Sequence, residues 1–186
     1  IVSSAFREHT ETPPSNAPKE FIDMAFPRVH QAVTMQAARK HSVDPNLVWA
    51  VIRQESLYDP SVVSPAGALG LMQVTPEATG TLKKKGNVPA SVVADLLEPK
   101  KNLGHGVKIL GGNIQVFKGR LVPAIASYNA DIQKVHQWVK KNSRMADDEF
   151  IDNIPYHETR LYVKKVLAGY KAYEYLHKKK DLAARW

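Results

Sequence analysis

Within residues 50–73, AVIRQESLYDPSVVSPAGALGLMQ, one carboxylate, Glu55, stands at the end of an apolar helical face. Leu47, Val48, Val51 and Ile52 recur at the three- and four-residue steps of a single stripe, and Glu55 continues it beyond Val51 and Ile52. Three influences at that position raise a carboxyl pKa: the apolar neighbours, the last helical turn, where the dipole disfavours negative charge, and a following loop that can close over it. A carboxyl that stays protonated near neutrality can act as a general acid. Periodicity taken alone fits a glutamate that reaches solvent at a frayed helix end somewhat better.

A lone proton donor in a groove suits glycosidic cleavage, for which the usual scheme takes two carboxylates. Asp59 is the nearest second candidate in sequence, but it directly precedes Pro60 and reads more simply as a turn-former. The seven histidines are scattered, without an HExxH or a close pair on one helix face, and no carboxylate cluster suits calcium. No metal and no cofactor is expected. Gly67 and Gly70 lack a Walker lysine and a preceding strand, which argues against a phosphate loop.

The elements that must position these groups read as helices. Pro27 to His41 carries Val29, Ala32, Val33, Gln36 and Ala37 at helical spacing. HSVDP then resets the chain, with Asp44 as cap and Pro45 at the first helical position of the segment that ends in Glu55. LYDPSVVSPAG reads as an irregular loop, ALGLMQVTPEATG as a short helix, and KKKGNVPASVVADLLEP as a loop and a further short helix. Residues 99–118 place Leu103, Val107, Leu110, Ile114 and Phe117 in the clearest helical period of the chain. Gly104, Gly106, Gly111 and Gly112 each cost about 1 kcal/mol relative to alanine inside a helix, a cost that close backbone packing would offset. LVPAIASYNA, DIQKVHQWVKK and a long segment from about Tyr156, with Val163, Val166, Leu167, Tyr170 and Tyr173 inward, complete the set. No alternating strand run and no internal repeat is visible, so the fold class is all-α.

The chain has 186 residues, 44% of them hydrophobic and 24% charged, which suits one globular domain. Residues 1–25, with TETPPSNAPKE, read as a linker or surface arm, and residues 26–186 as the domain itself. The chain lacks cysteine, so a disulfide framework and thiolate metal sites are excluded. No apolar run reaches the roughly 20 residues that cross a bilayer, and the start at Ile1 reads as a mature or excised fragment. The net charge of +8 suits nucleic acid, a membrane surface or an acidic polymer such as bacterial cell wall. The lysines recur as short clusters, Lys83 to Lys85, Lys100 and Lys101, Lys140 and Lys141, Lys164 and Lys165, and Lys178 to Lys180, which read mostly as solvated helix faces and ends.

Four segments taken together, ES, SPAGALGLMQ, SYNA and IPYHETRLYV, occur in the order and approximate spacing of the soluble lytic transglycosylases, which the chain resembles over roughly residues 26–176. The resemblance implies a goose-type lysozyme-like fold and cleavage of the bond between N-acetylmuramic acid and N-acetylglucosamine, with a 1,6-anhydromuramic end. It implies that Glu55 is the sole catalytic acid and base, and that Ser64, Gln73, Tyr128, Asn129 and Glu158 line the substrate groove, with the Tyr128 hydroxyl pointing toward the carboxyl. Arg160 looks structural, while Tyr156 could support the groove wall or the helix start. The implied partner is a peptidoglycan glycan strand rather than nucleic acid, and the implied setting is the bacterial periplasm or envelope, with the chain acting as a monomer. Two departures stand out. Family members usually continue YNA with Gly-Pro, where this chain has Asp131 and Ile132, and often carry methionine where Thr75 stands. Rival readings are a muramidase using water, with Asp59 or another acid as base, and a non-catalytic peptidoglycan-binding domain.

Overall fold

The computed structural model describes residues 24–80 and 88–183, with side chains described as far as Leu176. The expected linker over residues 1–25 lies almost entirely outside the described residues, as does the Lys83 to Lys85 cluster. Among the described residues the named α-helices run in order: α1 Gln31–His41, α2 Pro45–Ser56, α3 Ala90–Leu97, α4 Pro99–Val116, α5 Leu121–Asn129, α6 Ile132–Lys141, α7 Asp147–Asp152 and α8 His157–Ala183.

Helix α2 is the axis of the fold. Asp44 caps it, its carboxylate accepting from the Asn46 N–H at 2.7 Å, and Pro45 opens it as expected. Leu47 to Ile52 are all buried, so the helix is enclosed on every side rather than along one stripe. On one flank the Trp49 indole donates to the Val29 carbonyl (3.0 Å), the same oxygen that takes the Thr34 hydroxyl. On another, α8 lies close enough that a Cβ on Gly169 would sit 3.5 Å from Ala50. Tyr173 of α8 packs edge-on against Phe26 and beside Trp49, and donates to the Pro27 carbonyl.

Several expectations change in detail. Helix α1 begins at Gln31 rather than Pro27, behind His30 in a left-handed conformation, and its buried side chains are Thr34, Ala37 and Ala38. The glycines of α4 divide. Gly106 and Gly111 pack closely, a Cβ meeting Met72 at 2.6 Å and the His41 carbonyl at 2.8 Å respectively, whereas Gly104 and Gly112 face nothing within 4 Å. The inward face of α8 is Tyr162, Val163, Val166, Ala172, Tyr173 and Leu176, with Leu167 and Tyr170 only partly buried. Helix α7 was not expected; it inserts Phe150 into the core, and its Asp147 pairs with Arg120 at 2.6 Å.

The largest correction concerns Ala68 to Gly80. Only Glu77–Thr79 makes a helical turn, of 3-10 type, and the preceding residues form tight turns closed by isolated bridges, Val63 with Leu69 and Leu69 with Val74. Gly70 and Gln73 have φ of +71° and +47°, which no α-helix admits. Glycine is required at 70, because a Cβ would also lie 2.5 Å from the Leu96 carbonyl. No named strand occurs among the described residues, and no helix among them is long and apolar enough to cross a membrane.

Candidate active site

Helix α2 stops abruptly one residue after Glu55. Leu57 and Tyr58 both adopt left-handed backbone, φ +50° and +71°, at a cost of about 1 kcal/mol or more each for non-glycine residues. Tyr58 is held there by its hydroxyl, which lies 3.0 Å from that of Tyr173 and donates to the Ala25 carbonyl. The break leaves Glu55 in the last turn, half-buried, at the edge of a cleft of about 300 Å³ lined also by Gln54, Asn129, Glu158, Leu161, Tyr162 and Lys165.

Burial raises the Glu55 carboxyl from its ordinary 4.5 to about 7, and a hydrogen bond from the Tyr162 hydroxyl, 2.5 Å from Oε1, pulls in the opposite direction. Burial, and then the charge of Glu55, push the Tyr162 hydroxyl itself well up, so it remains a donor. The carboxyl is thus close to half-protonated at neutrality, the condition in which one group can give a proton and then take one back.

Tyr162 was missing from the residues expected at the site. The expectation that Tyr128 points toward the carboxyl needs refinement: its hydroxyl donates to the Met72 carbonyl at 3.0 Å, while burial and the Glu55 charge both raise its pKa. Tyr128 therefore lies within the electrostatic reach of Glu55 but spends its proton on the 69–73 loop. Tyr162 could have been found from ETRLYV, since it is four residues past Glu158 and so on the same face of α8.

The 69–73 loop is fastened from three helices. Ser56 of α2, buried directly after Glu55, donates to the Leu71 carbonyl at 2.9 Å. Asn102 of α4, fully buried, accepts from the Met72 N–H and donates to the Leu69 and Leu96 carbonyls, at 2.7 to 2.8 Å. Tyr128 of α5 supplies the third tie. Gln73 lies in this loop and not in a helix; its amide donates to the Val62 and Gly70 carbonyls. Ser64 closes the SPAGA turn, its hydroxyl accepting from the Ala68 N–H at 3.0 Å. Thr75 accepts from the Ala78 N–H at the start of the 3-10 turn.

Asn129 and Glu158 line the Glu55 cleft and also an adjoining one of about 520 Å³ with Asp131, Tyr156 and His157, so the two form neighbouring stretches of one groove. Thr159, buried, donates to the Asn129 side-chain oxygen at 2.7 Å and fixes its orientation. Glu158 is exposed in the first turn of α8, where the dipole favours a negative charge. Tyr156 accepts from Lys134 and stacks edge-on against Trp138, which places it on the wall of the adjoining stretch. Arg160 donates to the Ile154 carbonyl at 3.0 Å, a structural contact as expected. Asp59 is exposed and its carboxylate takes both the N–H and hydroxyl of Ser61, which hold its pKa below the usual carboxylate range. The YNADI departure has a simple local result: Asp131 caps α6 through the N–H groups of Gln133 and Lys134.

The transglycosylase SLT domain matches residues 32–151, a span that contains Glu55, the 69–73 loop, Tyr128 and Asn129. The chain belongs to the SLT domain family. This SLT domain is 36% identical over 156 residues to a soluble lytic murein transglycosylase of Salmonella typhimurium, which covers 83% of this chain and 24% of that one. Its fold matches the inactive glutamate-to-glutamine mutant of the lytic transglycosylase Slt from Pseudomonas aeruginosa with a TM-score of 0.73 at 35% identity, over 82% of this chain and 25% of that one. It also matches a 70-kDa soluble lytic transglycosylase in complex with bulgecin A, with a TM-score of 0.76 at 32% identity, over 84% and 26% of the two chains. The SLT domain described here therefore spans about a quarter of the length of these relatives.

Proposed function

We propose that this domain is a peptidoglycan lytic transglycosylase that cleaves the β-1,4 bond between N-acetylmuramic acid and N-acetylglucosamine. The observation that carries the reading is Glu55: a carboxyl poised at about 7 by burial, held by Tyr162, at the edge of a cleft whose other carboxylate, Glu158, is exposed. One such group suits a reaction in which the substrate supplies its own nucleophile. Protonated Glu55 gives its proton to the bridging oxygen as the bond from that oxygen to C1 of the muramic sugar breaks, and the sugar's 2-acetamido group stabilises the cationic centre. The Glu55 carboxylate then takes the proton of the C6 hydroxyl while O6 bonds to C1, leaving a 1,6-anhydro ring and restoring the acid. No water is consumed, and the intramolecular attack has the effective-molarity advantage of a tethered nucleophile.

In this scheme Tyr162 orients the carboxyl, Asn129 and Glu158 contact the sugar strand, Tyr128 and Gln73 hold the 69–73 loop that Ser56 ties to α2, and Ser64 holds the turn before it. The muramidase alternative with Asp59 as base finds little support, because that carboxylate is committed to its own turn. The relatives named as murein transglycosylases, and the positive charge of the chain, fit a bacterial envelope setting with the glycan strand of peptidoglycan as partner.

Mass spectrometry of the soluble products released from purified peptidoglycan tests the scheme. Anhydromuramic ends from the wild-type chain that vanish with Glu55→Gln are expected. Reducing ends would convert the reading to hydrolysis, and wall binding without release would convert it to a binding domain.

A further inference from the structure

A second groove, of about 630 Å³, runs between α1 and α4 and shares no lining residue with the Glu55 cleft. Lys40 and His41 line it from α1, and Lys100, Lys101, His105 and Lys108 from α4. Val33, Ala37 and Gly104 give it an uncharged floor. Two glycines of α4 define its shape. At Gly111 the two helices touch, a Cβ there meeting the His41 carbonyl at 2.8 Å; at Gly104, seven residues earlier on nearly the same face, nothing lies within 4 Å. A glycine costs about 1 kcal/mol against alanine in a helix, and at Gly104 no close packing offsets it; what the position has is open space.

The charges in this groove are largely uncompensated. Lys101 pairs with Asp95, but Lys40, Lys100 and Lys108 make no ion pair among the described residues. Burial, and then the charges of Lys40 and Lys108, hold the His41 pKa below its ordinary value. The N-terminus of α4 is not the attraction, because the Glu98 carboxylate already accepts from the Lys100 and Lys101 N–H groups. What remains is a set of flexible point charges, Lys100 and Lys108 about 12 Å apart along α4 with Lys40 on α1, without the planar forks with which arginine grips a compact oxyanion. Such a set suits an extended chain bearing spaced negative groups. Because the cations line a concavity, a narrow strand reaches them better than a flat bilayer does.

We propose that this groove is a second peptidoglycan-holding site, which takes the carboxylate-bearing peptide stems of a strand. The proposal rests on the peptidoglycan reading above and assigns the glycan and peptide parts of the wall to different faces of one domain. Small apolar groups along a peptide stem match the Val33, Ala37 and Gly104 floor, and its carboxylates match the lysines.

Binding is measured on the Glu55→Gln chain, so that cleavage does not intervene, against intact peptidoglycan sacculi and against glycan oligomers stripped of peptide. Joint replacement of Lys40, Lys100 and Lys108 by alanine is expected to weaken binding to intact sacculi on the order of tenfold, with binding to peptide-free glycan unchanged. Gly104→Leu fills the groove without removing charge and replaces glycine by a better helix former, so the same selective loss from it is not a folding defect. Undiminished binding to sacculi, an equal loss toward peptide-free glycan, or a groove-dependent affinity for anionic lipid vesicles as strong as that for sacculi would overturn the proposal. Failure of the catalytic reading is seen separately, as absence of anhydro products from the chain with Glu55 intact.

Discussion

Replacing Glu55 by glutamine should stabilise the fold above neutral pH. The carboxyl has its ordinary value of 4.5 when the chain is unfolded and about 7 when folded. Between those two values the folded state holds a proton that the unfolded state has released, so stability falls as pH rises; the loss is absent below 4.5 and complete above 7. At about 1.4 kcal/mol per pH unit the window amounts to roughly 3 kcal/mol. Glutamine is neutral throughout, and its amide oxygen can accept from Tyr162 as the carboxylate does. For a chain of this length ~1 kcal/mol corresponds to about 2–4 °C in Tm. The variant's Tm should therefore gain roughly 6–12 °C on that of the wild type between pH 4 and pH 8, as followed by circular dichroism during heating. The other carboxylates titrate in both proteins and cancel in the difference. A Tm difference that stays constant across this range would refute the reasoning, because it would mean that folding leaves the Glu55 pKa unchanged.

Tyr162→Phe removes the bond that lowers the Glu55 pKa, so the alkaline limb of kcat/KM should move to higher pH while kcat drops on the order of tenfold; an unmoved limb would deny Tyr162 its hold on the carboxyl. Asn102→Ala strands the Met72 N–H and the Leu69 and Leu96 carbonyls, and should cost about 3 kcal/mol in urea unfolding, with less than about 1 kcal/mol counting against the clip. Gly106→Ala would gain about 1 kcal/mol on helix propensity alone. With its Cβ 2.6 Å from the Met72 sulfur and 3.0 Å from the Tyr128 hydroxyl, a net loss of stability and activity is expected instead, and a gain would show that Met72 can move aside.

What the sequence made legible was local. Asp44 and Pro45 announce α2 because a cap and a first-turn proline act within a few residues, and the Leu103, Val107 and Leu110 stripe announces α4 because one face of a helix meets one core. Glu55 was conspicuous as a carboxylate on an apolar stripe. The GLMQ segment misled because Leu69, Leu71, Met72 and Val74 are as apolar as a helix face, while the bonds that override helix formation come from Asn102 and Ser56, distant in sequence. Tyr162 was overlooked for the same reason: its partner lies 107 residues upstream, and in sequence it is one aromatic among several on α8. Asp131 stood out only as a departure from the family's Gly-Pro, although a cap is what an aspartate two residues before a helical backbone N–H supplies.

The contacts around Glu55 fall into two sets of different character. On the loop side, Ser56, Asn102 and Tyr128 each reach the same five residues from a different helix, so a substitution there is transmitted to α2, and with it to the residue beside the acid. Along the adjoining stretch of the groove, Asp131, Lys134 and Tyr156 are joined through exposed contacts to one another, and Asp131 occupies its position through a cap confined to two neighbouring N–H groups. Remodelling the α5–α6 junction should therefore leave the contacts of Glu55 with Tyr162 unchanged. Substitutions at that junction should be borne where those at the three ties are not.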